Sequence, residues 1–291
     1  NVVAELAGKP KPVPYAVSVE TINTAVNDLC EPVTLADKRA TDIAWPPDSG
    51  KWFRPGPIFQ SRWLGLWPDV GAGVWSDALW NACLQGPPPA YPRRVLPQLG
   101  GDMATGKGDD YHALCGRWGA TALFIRTSNT MDPARIAASI KEACADLIDL
   151  WNGALPSSAD HFAPQRIPIK LDDDGTGNAV GSFLRAAGYN VHLVGAGTVA
   201  MRPDRYPNKR SELWFATADL AKLGGVYLGT LDGQTQRRLK QQLLAPAWEL
   251  DGAGRRVVEK KDDTKEKIGR SPDDADATNL SFYEPPSMLP T

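Results

Sequence analysis

At 291 residues the chain has room for about two domains, and no apolar run reaches the roughly 20 residues needed to span a bilayer. Its net charge of −2, from 32 Lys+Arg against 34 Asp+Glu, lacks the global basic signature of a nucleic-acid binder. Cys30, Cys83, Cys115 and Cys144 are scattered without a Cys-x-x-Cys pair, which argues against a disulfide framework or zinc site and fits buried thiols in a reducing compartment.

Residues 1–94 are rich in Pro and Trp and poor in periodicity. Within them "VSVETINTAVNDLC" predicts a helix, and "IAWPPDSGKWFRPGPIFQSRWLGLWPD" predicts extended chain and turns anchored by tryptophans. "VWSDALWNACL" predicts a short amphipathic helix with Trp75, Leu79 and Cys83 at helical spacing. The prolines of "QGPPPAYPRR" forbid regular structure and read as a linker, so we place a domain boundary between residues 94 and 95.

Beyond it the pattern becomes orderly. Strands are expected near 95–102, 112–118 and 120–126. A helix follows in "NTMDPARIAASIKEACADLIDLW", with Asp132 as N-cap, Pro133 in the first helical position, and Ile136, Ile140, Cys144, Leu147 and Leu150 as its buried stripe. Next come a strand "IPIKLD", a helix over about 177–187 and a strand "YNVHLV". This β-β-β-α-β-α-β order is an α/β pattern. Helices "KRSELWFATADLAKLG", ended by Gly224, and "DGQTQRRLKQQLL" follow. A hairpin "AWELDGAGRRVVEKK" turns at Gly252 to Gly254, and a last helix starts near "SPDDADATNLSFY". The tail, 284–291, is expected to be disordered. His112, His161 and His192 are dispersed and read as ordinary structural or surface residues.

Three acid clusters fall at element ends. Asp102 closes the first strand. Asp172, Asp173 and Asp174 close "IPIKLDDDGTG", and Asp273 and Asp276 share one face at the start of the last helix. Hard divalent cations take carboxylate oxygens, and two such ions about 3.5–4 Å apart can hold an attacking water and a leaving oxygen in line across a phosphodiester. Each cluster alone also reads as a turn or helix cap. Together, in this order, they point to a metal-dependent nuclease. Lys209, Arg210, Arg255, Arg256, Lys260 and Lys261 lie in "RPDRYPNKR" and "GRRVVEKKDDTKEKIGR". These segments read either as solvated surface or as grips on a DNA backbone.

Three other motifs are near misses. Gly101 to Gly108 approaches a phosphate-binding loop, but Gly108 replaces the Ser or Thr that holds Mg²⁺, and Asp109 and Asp110 would repel phosphate; no nucleotide site is expected. "GAGTVA", Gly195 to Ala200, matches a dinucleotide-binding pattern, but the prolines of "MRPDRYP" prevent the helix that site requires. Asp204, Glu259 and Lys261 spell a PD-(D/E)xK nuclease pattern with two helices in place of a short hairpin. A non-catalytic assembly module is the remaining alternative.

"GDMATGKGDDYHAL", "IPIKLDDDGTGNAVGSFLRAAGYNVHLV", "RYPNKRSELWF" and "GRRVVEKKDDTKEKIGRSPDDADA" together resemble the nuclease domain of tailed-phage large terminases, over residues of about 97–283. The resemblance implies a ribonuclease H-like mixed five-stranded sheet, of strand order 3-2-1-4-5, flanked by helices. The hairpin is an addition to it, and an irregular Pro/Trp-rich region precedes it. Residues 1–94 would be the stretch following an ATPase domain, 95–283 the nuclease domain and 284–291 the tail. The start at Asn1 rather than Met fits a piece of a longer chain whose ATP site lies upstream. The implied activity is endonucleolytic cutting of concatemeric viral double-stranded DNA during genome packaging. The implied cofactors are two Mg²⁺ or Mn²⁺ ions held by Asp102, Asp172, Asp273 and Asp276. Asp172 is preferred over Asp173 and Asp174 because it directly follows the apolar strand. Implied partners are DNA, a small terminase subunit and a portal protein, in the host cytoplasm and away from membranes.

Overall fold

The computed structural model describes residues 2–10, 17–56, 59–60, 63–64, 73–103, 111–155, 161–174 and 176–284. The chain divides into two compact units, 1–70 with 250–255, and 71–249 with 256–291.

In the first unit the helix Val19–Leu29 is capped by Ser18, whose Oγ accepts from the Thr21 amide. Strand Trp52–Pro55 lies between Cys30–Val33 and Ile43–Ala44 in an antiparallel sheet. Trp45 and Trp63, two of the expected anchors, pack with Phe53 around Ala25, Val26 and Phe59.

The second unit is built on five strands: β1 (Gln98–Asp102), β2 (His112–Trp118), β3 (Thr121–Ser128), β4 (Ile169–Asp172) and β5 (Val191–Val194). Their order is β3-β2-β1-β4-β5, with β1–β2 and β2–β3 antiparallel and β1–β4 and β4–β5 parallel. This is the expected mixed sheet of α/β, ribonuclease H-like form. Helices α1 (Pro133–Gly153) and α2 (Thr176–Ala186) contribute to one core with Leu99, Leu114, Ile169 and Leu171. Helices α3 (Lys209–Lys222), α4 (Gly233–Leu244) and α6 (Asp273–Phe282) contribute to a second core with Ala113 and Cys115. Successive strand residues alternate between the two faces. Leu99 therefore turns to the first core, while Gly100 and Asp102 turn toward α6. On β4, Ile169 and Leu171 face the first core, and Lys170 and Asp172 face the second. No helix among the described residues is long and apolar enough to cross a membrane.

Asp132 caps α1 through a bond from the Ala134 amide, with Pro133 in its first turn. One member of the expected stripe is corrected: Leu150 is exposed, and Ile148 and Trp151 are buried instead. After Leu147 the buried row continues at i+4, to Trp151, and a step of three turns Leu150 outward.

The ribbon Trp248–Leu250/Arg256–Val258 forms as expected. The segment after it, read from sequence only as a charged run, is a helix, α5 (Lys261–Ile268), closed by Gly269 at φ 71°. The Pro-rich segment 86–94 lies within the sheet-bearing unit. There Tyr91 stacks on Trp118, whose indole donates to the carbonyls of Pro92 and Val95. Of the expected tail, 285–291 lies outside the described residues. Glu284 is described and pairs with Arg117.

Gly100 allows α6 to lie against the sheet. A Cβ there would stand 2.2 Å from the Ser281 amide nitrogen and 2.4 Å from the Ala277 carbonyl oxygen. The C-terminal end of α6 is fixed by two buried basic side chains. Lys170 Nζ donates to the carbonyls of Ser281 (2.6 Å) and Tyr283 (2.8 Å), and Arg117 donates to Ser281 and Glu284. The Arg117 guanidinium at this end matches the helix dipole. The opposite end of α6, carrying Asp273 and Asp276, is thereby held over the end of β1.

Candidate active site

Four carboxylates gather where β1, β4 and α6 meet. Asp102 is the last residue of β1 and Asp172 the last of β4; the two strands are parallel neighbours with Gly101 opposite Leu171. Gly177 lets α2 start directly beyond β4, since a Cβ there would lie 1.9 Å from the Asp172 carbonyl oxygen. Asp273 and Asp276 stand three residues apart in the first turn of α6.

Among three of them, Asp102, Asp273 and Asp276, lies Lys261, the first residue of α5. Its Nζ is 2.8 Å from Asp102 Oδ2, 3.1 Å from Asp276 Oδ2 and 3.6 Å from Asp273 Oδ1. Asp276 is also held by Arg210 Nη1 and by the Trp214 indole, each 3.0 Å from its Oδ1. Asp273 Oδ2 accepts from the Tyr111 amide at 3.3 Å.

Burial pushes the Asp102 carboxyl well above its ordinary range. Lys261 offsets part of this, and Asp276, Asp273 and Asp172 add to it. Asp172 is pushed up to about 6, first by burial and then by Asp174. Burial also acts on Asp276, but Arg210 and Lys261 outweigh it and hold this carboxyl below its ordinary value. Burial disfavours the Lys261 ammonium, yet Asp102, Asp276 and Asp273 more than compensate and raise it well above the usual lysine value.

A cavity of about 270 Å³ opens beside the cluster, lined by Asp102, Asp172, Asp174, Arg210, Lys261 and Asp276 among others. Asp173 turns to α2, where its Oδ1 accepts from Asn178. Asp274 turns to Arg238 of α4. Asp109 and Asp110 lie outside the described residues.

The donor set suits a hard cation, being carboxylate oxygen throughout, and Asp172 Oδ1 is buried without a partner. Among the described residues, however, no three carboxylate, imidazole or thiolate groups stand at ligand spacing for one ion. The acids are spread around an ammonium. Metal–oxygen distances of roughly 2.0–2.6 Å would draw them closer and move Lys261 aside.

The basic candidates occupy different settings. Lys261 is the acid-bound ammonium and Arg210 holds Asp276. Lys209 is buried between Glu212 and the Tyr283 hydroxyl. Arg256 lies over the rings of Tyr206 and Phe215 and 3.4 Å from Asp219. Arg255 pairs with Asp251 at 2.7 Å. Lys260 is exposed.

The near-miss motifs are also placed. Residues 104–110 of the phosphate-like loop lie outside the described residues, but Gly100, Gly101 and Asp102 are strand. At the dinucleotide-like turn the first amides of α3 are already used, Lys209 by the Thr198 carbonyl and Arg210 by that of Ala196, both at 2.8 Å. Asp204 is exposed, and Glu259 accepts from Thr264 and Lys267. Lys261, the third member of that pattern, belongs to the Asp102 cluster instead.

Arg210 and Trp214 as supports of Asp276, and Lys261 as the cation among the acids, went unread in the sequence. The signal available for Lys261 was helical. "KDDTKEKIG" has acids in its first turn, lysines in its last and Gly behind it.

The fold formed by this sheet and its helices is that of phage terminase nuclease domains. The nuclease domain of the large terminase subunit gp2 of bacterial virus Sf6 superposes with a TM-score of 0.55 at 17% identity, over 73% of this chain and 99% of that one. A single-substitution variant of the same domain, determined with manganese and beta-thujaplicinol, gives 0.55 at 16% identity over the same shares. The large terminase nuclease from thermophilic phage G20c gives 0.47 at 16% identity, over 73% and 100%. No family model and no curated protein matches the chain.

Proposed function

We propose that the second unit is a metal-dependent endonuclease that cuts double-stranded viral DNA during genome packaging. The observation that carries this reading is the convergence of Asp102, Asp273 and Asp276 on one cationic position, with Asp172 at the neighbouring strand end. The neighbours of known structure are nucleases, and the Sf6 domain was determined with manganese and with calcium.

In this reading Asp102, Asp172, Asp273 and Asp276 would hold two Mg²⁺ or Mn²⁺ ions, with Asp102 as the ligand common to both. Such an ion pair would supply a nucleophilic water at neutral pH and stabilise the leaving oxygen. Arg210 and Trp214 keep Asp276 ionised and oriented, and the Tyr111 amide orients Asp273. No base-reading motif accompanies the acids, so little sequence selectivity is expected. Residues 1–94 are proposed as the stretch that follows an ATPase domain. Its motor partners would be a small terminase subunit and a portal protein.

Incubation of supercoiled plasmid with Mg²⁺ or Mn²⁺ tests the reading. Nicking or linearisation is expected with metal, none in EDTA, and none from Asp102→Asn. Asp204→Asn is expected to cut like the wild type. Cleavage that survives EDTA, or that Asp204→Asn abolishes while Asp102→Asn does not, overturns it.

A further inference from the structure

Asn279 is 1% exposed, and both atoms of its amide, Nδ2 and Oδ1, lack a hydrogen-bond partner. A buried unpaired amide is costly, because it loses its water without recovering the bonds. Asn279 stands one turn beyond Asp276 on α6 and lines the same cavity as Asp172, whose buried Oδ1 is also unpartnered. Two unsatisfied polar side chains, from a helix and a strand end, thus border one small space. Asn279 offers both a donor and an acceptor to it, whereas the carboxylate of Asp172 offers only acceptors. Its near-complete burial excludes direct contact with a DNA phosphate. Leu213, Leu280 and Val194 line the same cavity, so the space is partly apolar, and a water there depends on the few polar groups that border it.

We infer that Asn279 is a positioning residue of this site, which orders the water layer beside Asp172 and thereby steadies a cation held at that carboxylate. This rests on the nuclease reading above. Outer groups that orient the ligands of a metal commonly account for about 10–100-fold in metal affinity or activity.

Calorimetric titration of the intact chain with Mn²⁺, together with thermal unfolding in EDTA, tests the inference. Asn279→Leu conserves volume and removes the unpaired amide. It is expected to leave stability in EDTA unchanged or higher, while weakening one Mn²⁺ about 10-fold and slowing plasmid cleavage by a similar factor. A residue that only packs would lower stability and leave Mn²⁺ affinity alone. Asn279→Asp adds a negative charge beside Asp172 and should tighten Mn²⁺ binding. If both variants bind Mn²⁺ and cut like the wild type, the inference fails and the nuclease reading stands. If the wild type binds no Mn²⁺, that reading fails and takes this inference with it.

Discussion

The ammonium of Lys261 donates to Oδ2 of Asp102 at 2.8 Å, joining the first residue of α5 to the last residue of β1. It also lies within 4 Å of Asp273 and Asp276, so one ammonium stands among the acids where, on the proposed reading, a metal ion would be held. On that reading lysine and metal would compete for the same carboxylates. Lys261→Met is expected to lower stability in EDTA by about 1–3 kcal/mol, since three acids lose their counter-charge. It should also enlarge the rise in Tm produced by Mn²⁺. Thermal scans with and without Mn²⁺ measure both effects. Equal metal-induced shifts in variant and wild type would show that the lysine does not compete.

Asp172 contributes to the pH dependence of the metal-free chain with a definite sign. Asp172 titrates at about 6 in the folded protein against an ordinary 3.8, and Asp102 is shifted in the same direction. Between those values the folded chain binds more protons than the unfolded chain, so stability falls as pH rises through the window. Asp276, held low by Arg210 and Lys261, contributes the opposite sign. Comparison with Asp172→Asn isolates one group. In EDTA the wild type should gain Tm relative to this variant as pH drops from about 6 to about 4. A difference that is flat across that range refutes the assignment.

The placement of α6 rests on a missing side chain. Alanine at Gly100 would put its Cβ into backbone at Ser281 and Ala277, where no rotamer can relieve the clash. Gly100→Ala should therefore destabilise by about 2–4 kcal/mol and displace Asp273 and Asp276 from Asp102. Chemical denaturation measures the first effect and the residual nicking rate the second. Wild-type stability would mean that α6 is not seated on β1 as described.

The strands and most helices were legible because their signals are local. β1 and β4 end at acids behind apolar runs, Asp132-Pro133 opens α1, and Gly224 at φ 74° follows α3. The acids were legible for the same reason, through their positions at element ends. α5 was not, because it has no apolar face: Thr264 is its one buried residue. Charge runs also conceal which member is buried. Lys209 and Arg210 look like the exposed Lys260 in the sequence, yet they meet Glu212 and Asp276. The support of Asp276 by Arg210 spans 66 residues, and no local pattern encodes such a pairing. Asn279 repeats the spacing of Asp273 and Asp276 on α6, but an asparagine in a helix announces a role only when its partners are found to be absent.

Lys260 separates the two readings of the basic segments. It is exposed and immediately precedes the lysine that enters the acid cluster. A backbone contact there needs charge and no base recognition. Replacing one phosphate contact should flatten the slope of log affinity against log salt by about 1 and weaken binding alike for unrelated DNA sequences. Lys260→Ala, titrated with labelled duplexes across a salt series in Ca²⁺ or EDTA to suppress cutting, reads both. Arg210→Ala provides the contrast. Its guanidinium is bonded to Asp276, so its loss should reduce the cleavage rate far more than the salt slope. If Lys260→Ala leaves affinity and slope unchanged, the lysine is solvated surface, and the DNA grip must be sought on other cations.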